Sequence, residues 1–122
     1  MKKKILLVED NPDNRYVVLR LLKELEVEII VAEDGLSAIE IARKEIPDLI
    51  LMDMQLPELS GYDVTKKIRE MKGMESIPII AVTAHCMVGD KEKAIQAGCT
   101  DFIEKPIVPN EFVQKVKAYL TN

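Results

Sequence analysis

The chain has 122 residues, of which 48% are hydrophobic, enough for one compact domain with its own apolar core. It carries 17 basic and 21 acidic side chains, a formal net charge of −4, and this mild acidity gives no reason to expect direct nucleic-acid binding. No stretch approaches the roughly 18 apolar residues of a membrane span and the basic start lacks the apolar run of a secretory signal, so we expect a cytoplasmic protein without a membrane segment.

Short apolar runs alternate with helical patterns along the chain. The first four runs are almost continuously apolar, which is typical of parallel strands buried on both faces. The predicted strands are Ile5–Val8, Ile29–Ala32, Leu49–Met52, Ile77–Val82 and Phe102–Ile103.

Five helices are predicted between and after these strands. The first covers about Asn14 to Leu25, the second and third follow Asp34-Gly35 and Ser60-Gly61, the fourth spans Asp90 to Ala97 before Gly98, and the fifth begins at Pro109. The apolar stripes of the first two helices are Val17, Val18, Leu21, Leu22 and Leu25, and then Ala38, Ile39, Ala42 and Ile46.

Five strands alternating with five helices predict an α/β fold, with a single open parallel sheet and helices on both faces. Right-handed crossovers favour the flavodoxin-like strand order 2-1-3-4-5. In such folds the functional site lies outside the carboxyl ends of the strands, where the strand order reverses.

Chemically active side chains follow four of the predicted strands: Glu9 and Asp10 the first, Asp53 the third, Thr83 the fourth and Lys105 the fifth. Each residue alone fits a structural role as a cap, a turn or a neutralising charge. Three acids gathered at one place repel each other unless a cation binds them, so we expect a Mg²⁺ site there. Asp53 is then the candidate nucleophile for a phosphoryl group, with Lys105 and Thr83 contacting the phosphoryl oxygens.

These segments resemble the receiver domain of bacterial two-component response regulators. The motifs occur in the family's order and spacing over essentially the whole chain, residues 1–122. The loop from Met54 to Gly61 is similar to single-domain regulators of the DivK cell-cycle type, and receivers of hybrid histidine kinases share parts of it. The motifs are Leu7-Val8-Glu9-Asp10-Asn11, Asp48 to Asp53 with Leu56-Pro57 and Ser60-Gly61, Val82-Thr83-Ala84, and Lys105-Pro106.

The resemblance implies a role for each site residue. Asp53 matches the phosphoacceptor, Glu9 and Asp10 match the acid pair at the metal, and the backbone carbonyl of Gln55 matches the third protein ligand of Mg²⁺. Lys105 matches the lysine that contacts the phosphoryl group, and the family also implies a cis peptide bond between it and the following proline.

The resemblance further implies a signalling switch, not an enzyme beyond its own phosphoryl acceptance and dephosphorylation. Thr83 matches the switch hydroxyl and Phe102 the switch aromatic. The donor would be a histidine kinase or a histidine phosphotransfer protein, and the changed face of helix 4, strand 5 and helix 5 would bind a target protein or a second copy of the chain. The residues expected to be exposed on that face are Lys91, Lys93, Glu104, Asn110 and Lys115.

Three other classes of protein share part of this pattern. A flavodoxin-like electron carrier needs a phosphate-cradling loop after strand 1, where this chain is acidic. A haloacid-dehalogenase-type phosphatase needs a general acid two positions after its nucleophile, where Gln55 cannot transfer a proton. A pseudo-receiver, which binds partners without phosphorylation, usually lacks an acid or the lysine, and this chain has them all.

Three further residues complete the chemical inventory. His85, the only histidine, is predicted in the loop after strand 4 and not on a helix, so the chain is not expected to be its own phosphodonor. Cys86 and Cys99 are expected as reduced thiols, as in other intracellular proteins.

Overall fold

The computed structural model describes residues 2–84 and 88–121. The predictions for His85 and Cys86 lie outside the described residues. Cys99 is a buried free thiol. Within the described ranges, no helix is long and apolar enough to cross a bilayer.

Five strands form one parallel sheet in the predicted order, β2-β1-β3-β4-β5. The strands are β1 (Lys3–Val8), β2 (Val27–Ala32), β3 (Leu49–Asp53), β4 (Ile79–Thr83) and β5 (Asp101–Glu104). The helices are α1 (Pro12–Leu22), α2 (Gly35–Glu45), α3 (Gly61–Glu70), α4 (Asp90–Ala97) and α5 (Pro109–Leu120).

Two apolar layers enclose the sheet. One contains buried residues of α1 and α5, including Val18, Leu22, Phe112 and Val116, and the other contains residues of α2, α3 and α4. All residues of β3 and β4 are buried, as their continuous apolar runs predict. The prediction that β2 is buried on both faces is wrong: as an edge strand, its only fully buried residue is Ala32.

The first helix begins and ends earlier than predicted. The Asn11 side chain caps its start by accepting hydrogen bonds from the backbone nitrogens of Asp13 and Asn14, at 2.9 and 3.0 Å, and Pro12 fits the first turn because it lacks an N–H. Val17, expected on the apolar stripe, is exposed, since the buried face is set by Val18 and Leu22.

Ile46 and the start of β4 also differ from the prediction, each for a local reason. Ile46 lies beyond α2, with a left-handed φ of 48°, and its side chain is exposed instead of completing the apolar stripe. Strand β4 begins at Ile79, not at Ile77, because the intervening Pro78 has no N–H for a ladder bond, although its carbonyl accepts from Ile50 at 2.9 Å.

The strand register aligns the ends that carry the polar residues. Val8 of β1 pairs with Met52 of β3, and Asp53 pairs with Val82 of β4. Thr83 in turn pairs with Glu104 of β5. The residues that follow these strands therefore meet at one edge of the sheet.

Candidate functional site

Three carboxylates converge at the carboxyl edge of the sheet. One oxygen each from Glu9, Asp10 and Asp53 lies within 4.8 Å of the others. Glu9 and Asp53 are buried and Asp10 is exposed. The convergence confirms the prediction made from the parallel topology, and it leaves the cluster open to solvent on one side.

Asp53 is held in a setting that disfavours its charge. Burial, together with the neighbouring Glu9 carboxylate, raises the pKa of Asp53 from 3.8 to about 7. The backbone N–H of Gln55 donates to Asp53 Oδ1 at 2.9 Å and opposes part of that rise. A positive charge placed in the cluster would favour the ionised carboxylate.

Lys105 supplies one such charge from the β5–α5 loop. Its Nζ lies 3.3 Å from Glu9 Oε1, and its charge also lowers the pKa of Asp53. The peptide bond between Lys105 and Pro106 is cis, as the resemblance implied. The ammonium lies at the acid cluster, where it donates a hydrogen bond to Glu9.

The loop between Asp53 and α3 depends on a close backbone approach. Gly61, the first residue of α3, donates its N–H to the carbonyl of Met54 at 3.2 Å. A Cβ at this position would lie 2.6 Å from the Asp53 carbonyl oxygen and 2.6 Å from the Met54 Cα. Only glycine leaves room for this loop to return so closely to the strand end.

Arg15 on α1 is a residue of the site that the sequence reading missed. Its Nη1 donates to the backbone carbonyls of Glu9 and Asp10, at 3.1 and 3.2 Å, and forms an ion pair with Glu33 Oε1 at 3.3 Å. The sequence does show an arginine near the start of a helix, shortly after two acids. Its contacts could not be predicted, because Arg15 binds backbone carbonyls whose positions depend on the folded loop.

The two proposed switch residues lie on the neighbouring strands β4 and β5. Thr83 ends β4 and is buried, with 1% of its surface exposed. Phe102 on β5 is half-buried, packs against the core layer of α2, α3 and α4, and borders an open cleft of about 350 Å³ between β5 and α5. Phe102 therefore lies between a packed core layer and an open cleft.

A polar cluster joins β5 to α5 near that cleft. Tyr119 Oη donates to Asp101 Oδ2 at 2.7 Å, and Lys115 Nζ donates to Asp101 Oδ1 at 3.2 Å. The prediction that Lys115 is exposed is wrong, because this ion pair holds the side chain against β5. The hydrogen bond to Asp101 raises the pKa of Tyr119 to about 12.

The donor set fits a hard divalent cation. Mg²⁺ prefers oxygen ligands in octahedral geometry and keeps several waters, which suits a cluster of three carboxylates with one open side. When bound, Mg²⁺ supplies positive charge that neutralises the acids and holds phosphoryl oxygens.

Comparison with known proteins points to one family. The sequence pattern described as "Response regulator receiver domain" matches residues 5–117. The polar-differentiation response regulator DivK of Brucella ovis is 44% identical over 120 residues, which is 98% of each chain.

Solved structures agree with the sequence comparison. The receiver domain of the sensor histidine kinase PA1611 from Pseudomonas aeruginosa, with a magnesium ion coordinated in its active site cleft, superposes with a TM-score of 0.91 at 37% identity and 100% coverage of both chains. The chemotaxis protein CheY4 of Vibrio cholerae gives a TM-score of 0.91 at 26% identity, covering 98% of this chain and 100% of its own. The chain therefore belongs to the response regulator receiver domain family, the phosphorylation-activated signalling switches of two-component systems.

Proposed function

We propose that the chain accepts a phosphoryl group on Asp53 from a phosphohistidine of a histidine kinase or phosphotransfer protein, with Mg²⁺ bound beside it. The observation that carries the proposal is the cluster of Glu9, Asp10 and Asp53, whose oxygens lie within 4.8 Å of one another. In this assignment Asp10, Asp53 and the Gln55 carbonyl ligate the metal, and Glu9 acts through water.

The transfer step needs an ionised, correctly placed carboxylate. One oxygen of Asp53 attacks the phosphorus as the P–N bond of the donor breaks, and the histidine nitrogen keeps that electron pair. The Gln55 N–H, 2.9 Å from Asp53 Oδ1, orients the carboxylate. Lys105, whose charge acts on Asp53, would exchange its contact with Glu9 for one with a phosphoryl oxygen. Thr83 would supply a neutral hydroxyl from the end of β4.

The first experiment tests acceptance and its metal dependence. Acetyl phosphate provides the phosphoryl group, and intact-protein mass spectrometry reports one added group with Mg²⁺ and none with a chelator. Asp53→Asn should remain unmodified, and Asp10→Ala should bind Mg²⁺ much more weakly than wild type. Asp13→Ala removes an exposed acid from the nearby first turn of α1 and serves as the matched control. Full labelling of Asp53→Asn, or wild-type Mg²⁺ affinity in Asp10→Ala, would contradict the assignment.

We also propose how the signal leaves the site. Phosphorylation adds charge and strong acceptors at Asp53, and Thr83 at the end of the neighbouring strand moves toward them. The space left behind β4 is then filled by Phe102, which borders an open cleft. The support is positional: Thr83 is buried, and Phe102 lies on β5, paired in register with Ala81 of β4.

The changed surface is the face of α4, β5 and α5, which would bind a target protein or a second copy of the chain. Of the residues assigned to it, Lys91, Lys93, Glu104 and Asn110 are exposed. The phosphorylated state is a population shift toward the conformation in which the phosphoryl group makes its extra contacts.

Amide NMR with and without beryllofluoride, an acyl-phosphate mimic, tests this route. Wild type should show shifts in α4 and β5 as well as around Asp53. Thr83→Ala should still bind the mimic but lose most of the distant shifts. Perturbations confined to the loops around Asp53 in wild type, or distant shifts that persist in Thr83→Ala, would refute the coupling.

A further inference from the structure

The guanidinium of Arg15 joins two loops at the acid cluster. A single nitrogen, Nη1, contacts the carbonyls of Glu9 and Asp10 and the carboxylate of Glu33, at 3.1, 3.2 and 3.3 Å. The Arg15 side chain is 19% exposed, whereas that of Glu33 is 71% exposed. Arg15 therefore connects the β1–α1 loop, which carries two of the three acids, to the residue that follows β2.

These contacts matter most for Asp10. Glu9 is fixed in several ways, since its N–H donates to the Ala32 carbonyl at 3.0 Å and its carboxylate accepts from Lys105 and from the Asn11 N–H. The Asp10 side chain is exposed, and no hydrogen bond holds its carboxylate among the residues that the structure describes. The direction of that carboxylate thus depends on the peptide planes on either side of it, which Arg15 holds through their carbonyl oxygens.

We propose that Arg15, held by Glu33, is a positioning residue that presents Asp10 and Glu9 to Mg²⁺. This proposal rests on the proposed function, because it requires that the cluster binds Mg²⁺. Arg15 would act on the metal only through the backbone of its ligands, since it contacts the carbonyls of Glu9 and Asp10 and not their carboxylates. Partners that orient metal ligands in this way typically contribute about 10- to 100-fold to metal affinity.

Two effects of Arg15 on Mg²⁺ binding have opposite signs. Its positive charge, close to the cluster, repels a cation, so loss of the charge alone would tighten binding. Its hydrogen bonds hold the ligands in place, so loss of the contacts would weaken binding. A neutral substitution removes both, and the direction of the change shows which effect dominates.

The experiment is a calorimetric Mg²⁺ titration of the unphosphorylated protein. Arg15→Gln should bind Mg²⁺ about tenfold more weakly than wild type. Glu33→Gln keeps the positive charge of Arg15 but removes the carboxylate that holds its guanidinium, and it should lose a smaller part of the affinity. Arg20→Gln is the matched control, because it removes the same charge from the same helix. The Arg20 guanidinium donates to the Tyr16 hydroxyl and lies over its ring, away from the acid cluster's carbonyls, and the Mg²⁺ affinity should stay at the wild-type value. Urea unfolding of each variant without metal separates metal affinity from stability.

Each result decides a separate claim. Unchanged or tighter Mg²⁺ binding in folded Arg15→Gln would overturn the positioning role. If that variant does not fold, Glu33→Gln carries the test, and wild-type affinity in it would equally overturn the proposal that Arg15, held by Glu33, positions the ligands. Absence of Mg²⁺ binding by the wild type would instead contradict the proposed function.

Discussion

The metal-free protein should become more stable when Asp53 is replaced by asparagine, and only above mildly acidic pH. The folded state raises the pKa of Asp53 from 3.8 to about 7, so it binds the Asp53 proton more tightly than the unfolded chain does. The stability that this proton contributes is fully present below pH 3.8, falls as the pH rises, and is lost above about pH 7. Asparagine cannot ionise and avoids this loss.

The size of the effect follows from the same shift. A difference of roughly three pKa units corresponds to a ceiling of about 4 kcal/mol, at about 1.4 kcal/mol per unit. This shift already includes the attraction of Lys105, which lowers the pKa of Asp53, and we therefore expect a gain of up to about 4 kcal/mol in the free energy of unfolding at pH 8.

Urea unfolding with a chelator, at several values between pH 4 and pH 8, measures this difference. Asp53→Asn and wild type should nearly coincide at pH 4, diverge as the pH rises, and stay apart at a constant interval above pH 7. Asp13→Asn makes the same charge change on the exposed first turn of α1 and controls for the loss of one negative charge. A difference that does not change with pH, or a less stable Asp53→Asn at pH 8, would refute this electrostatic description.

Three further predictions concern the scaffold. Gly61→Ala should destabilise the protein by about 1–3 kcal/mol in urea unfolding, because its Cβ would meet backbone atoms, whereas Gly35→Ala should cost less, since the atoms it meets belong to side chains. Asp101→Asn should return the pKa of Tyr119 from about 12 toward 10, read from the ultraviolet absorbance of the phenolate, and an unchanged titration would contradict the hydrogen bond. Arg69→Met should lower the free energy of unfolding by about 2 kcal/mol, because the guanidinium donates to two backbone carbonyls and one hydroxyl; an unchanged midpoint would show that these bonds contribute nothing net.

The acid cluster was predictable because it depends on topology. Parallel strands place their carboxyl ends at one edge, so residues that follow β1 and β3 must lie near each other whatever the details of the loops. Glu9, Asp10 and Asp53 needed only the order of the strands to be assigned to one site. The start of α4 at Asp90 and its end before Gly98 were also predictable, since they depend on residues at the helix ends.

The features that the sequence did not predict depend on three-dimensional detail. Apolar periodicity identifies a strand such as β2 but not its place at an edge, where every residue of the strand except Ala32 is at least partly exposed. The contacts of Arg15 with two carbonyls, and of Lys115 with Asp101, depend on how far long side chains reach across neighbouring elements. The spacing of charges along the chain does not encode that reach.

The central claim is that Asp53 receives the phosphoryl group, and mapping the modified residue tests it most directly. After incubation with acetyl phosphate and Mg²⁺, borohydride reduces an aspartyl phosphate to homoserine, which tandem mass spectrometry locates in the peptide sequence. We predict conversion at Asp53 alone, dependent on Mg²⁺ and absent without acetyl phosphate. Conversion at Asp10 or another carboxylate, or none at Asp53 in protein shown to be folded, would contradict the account.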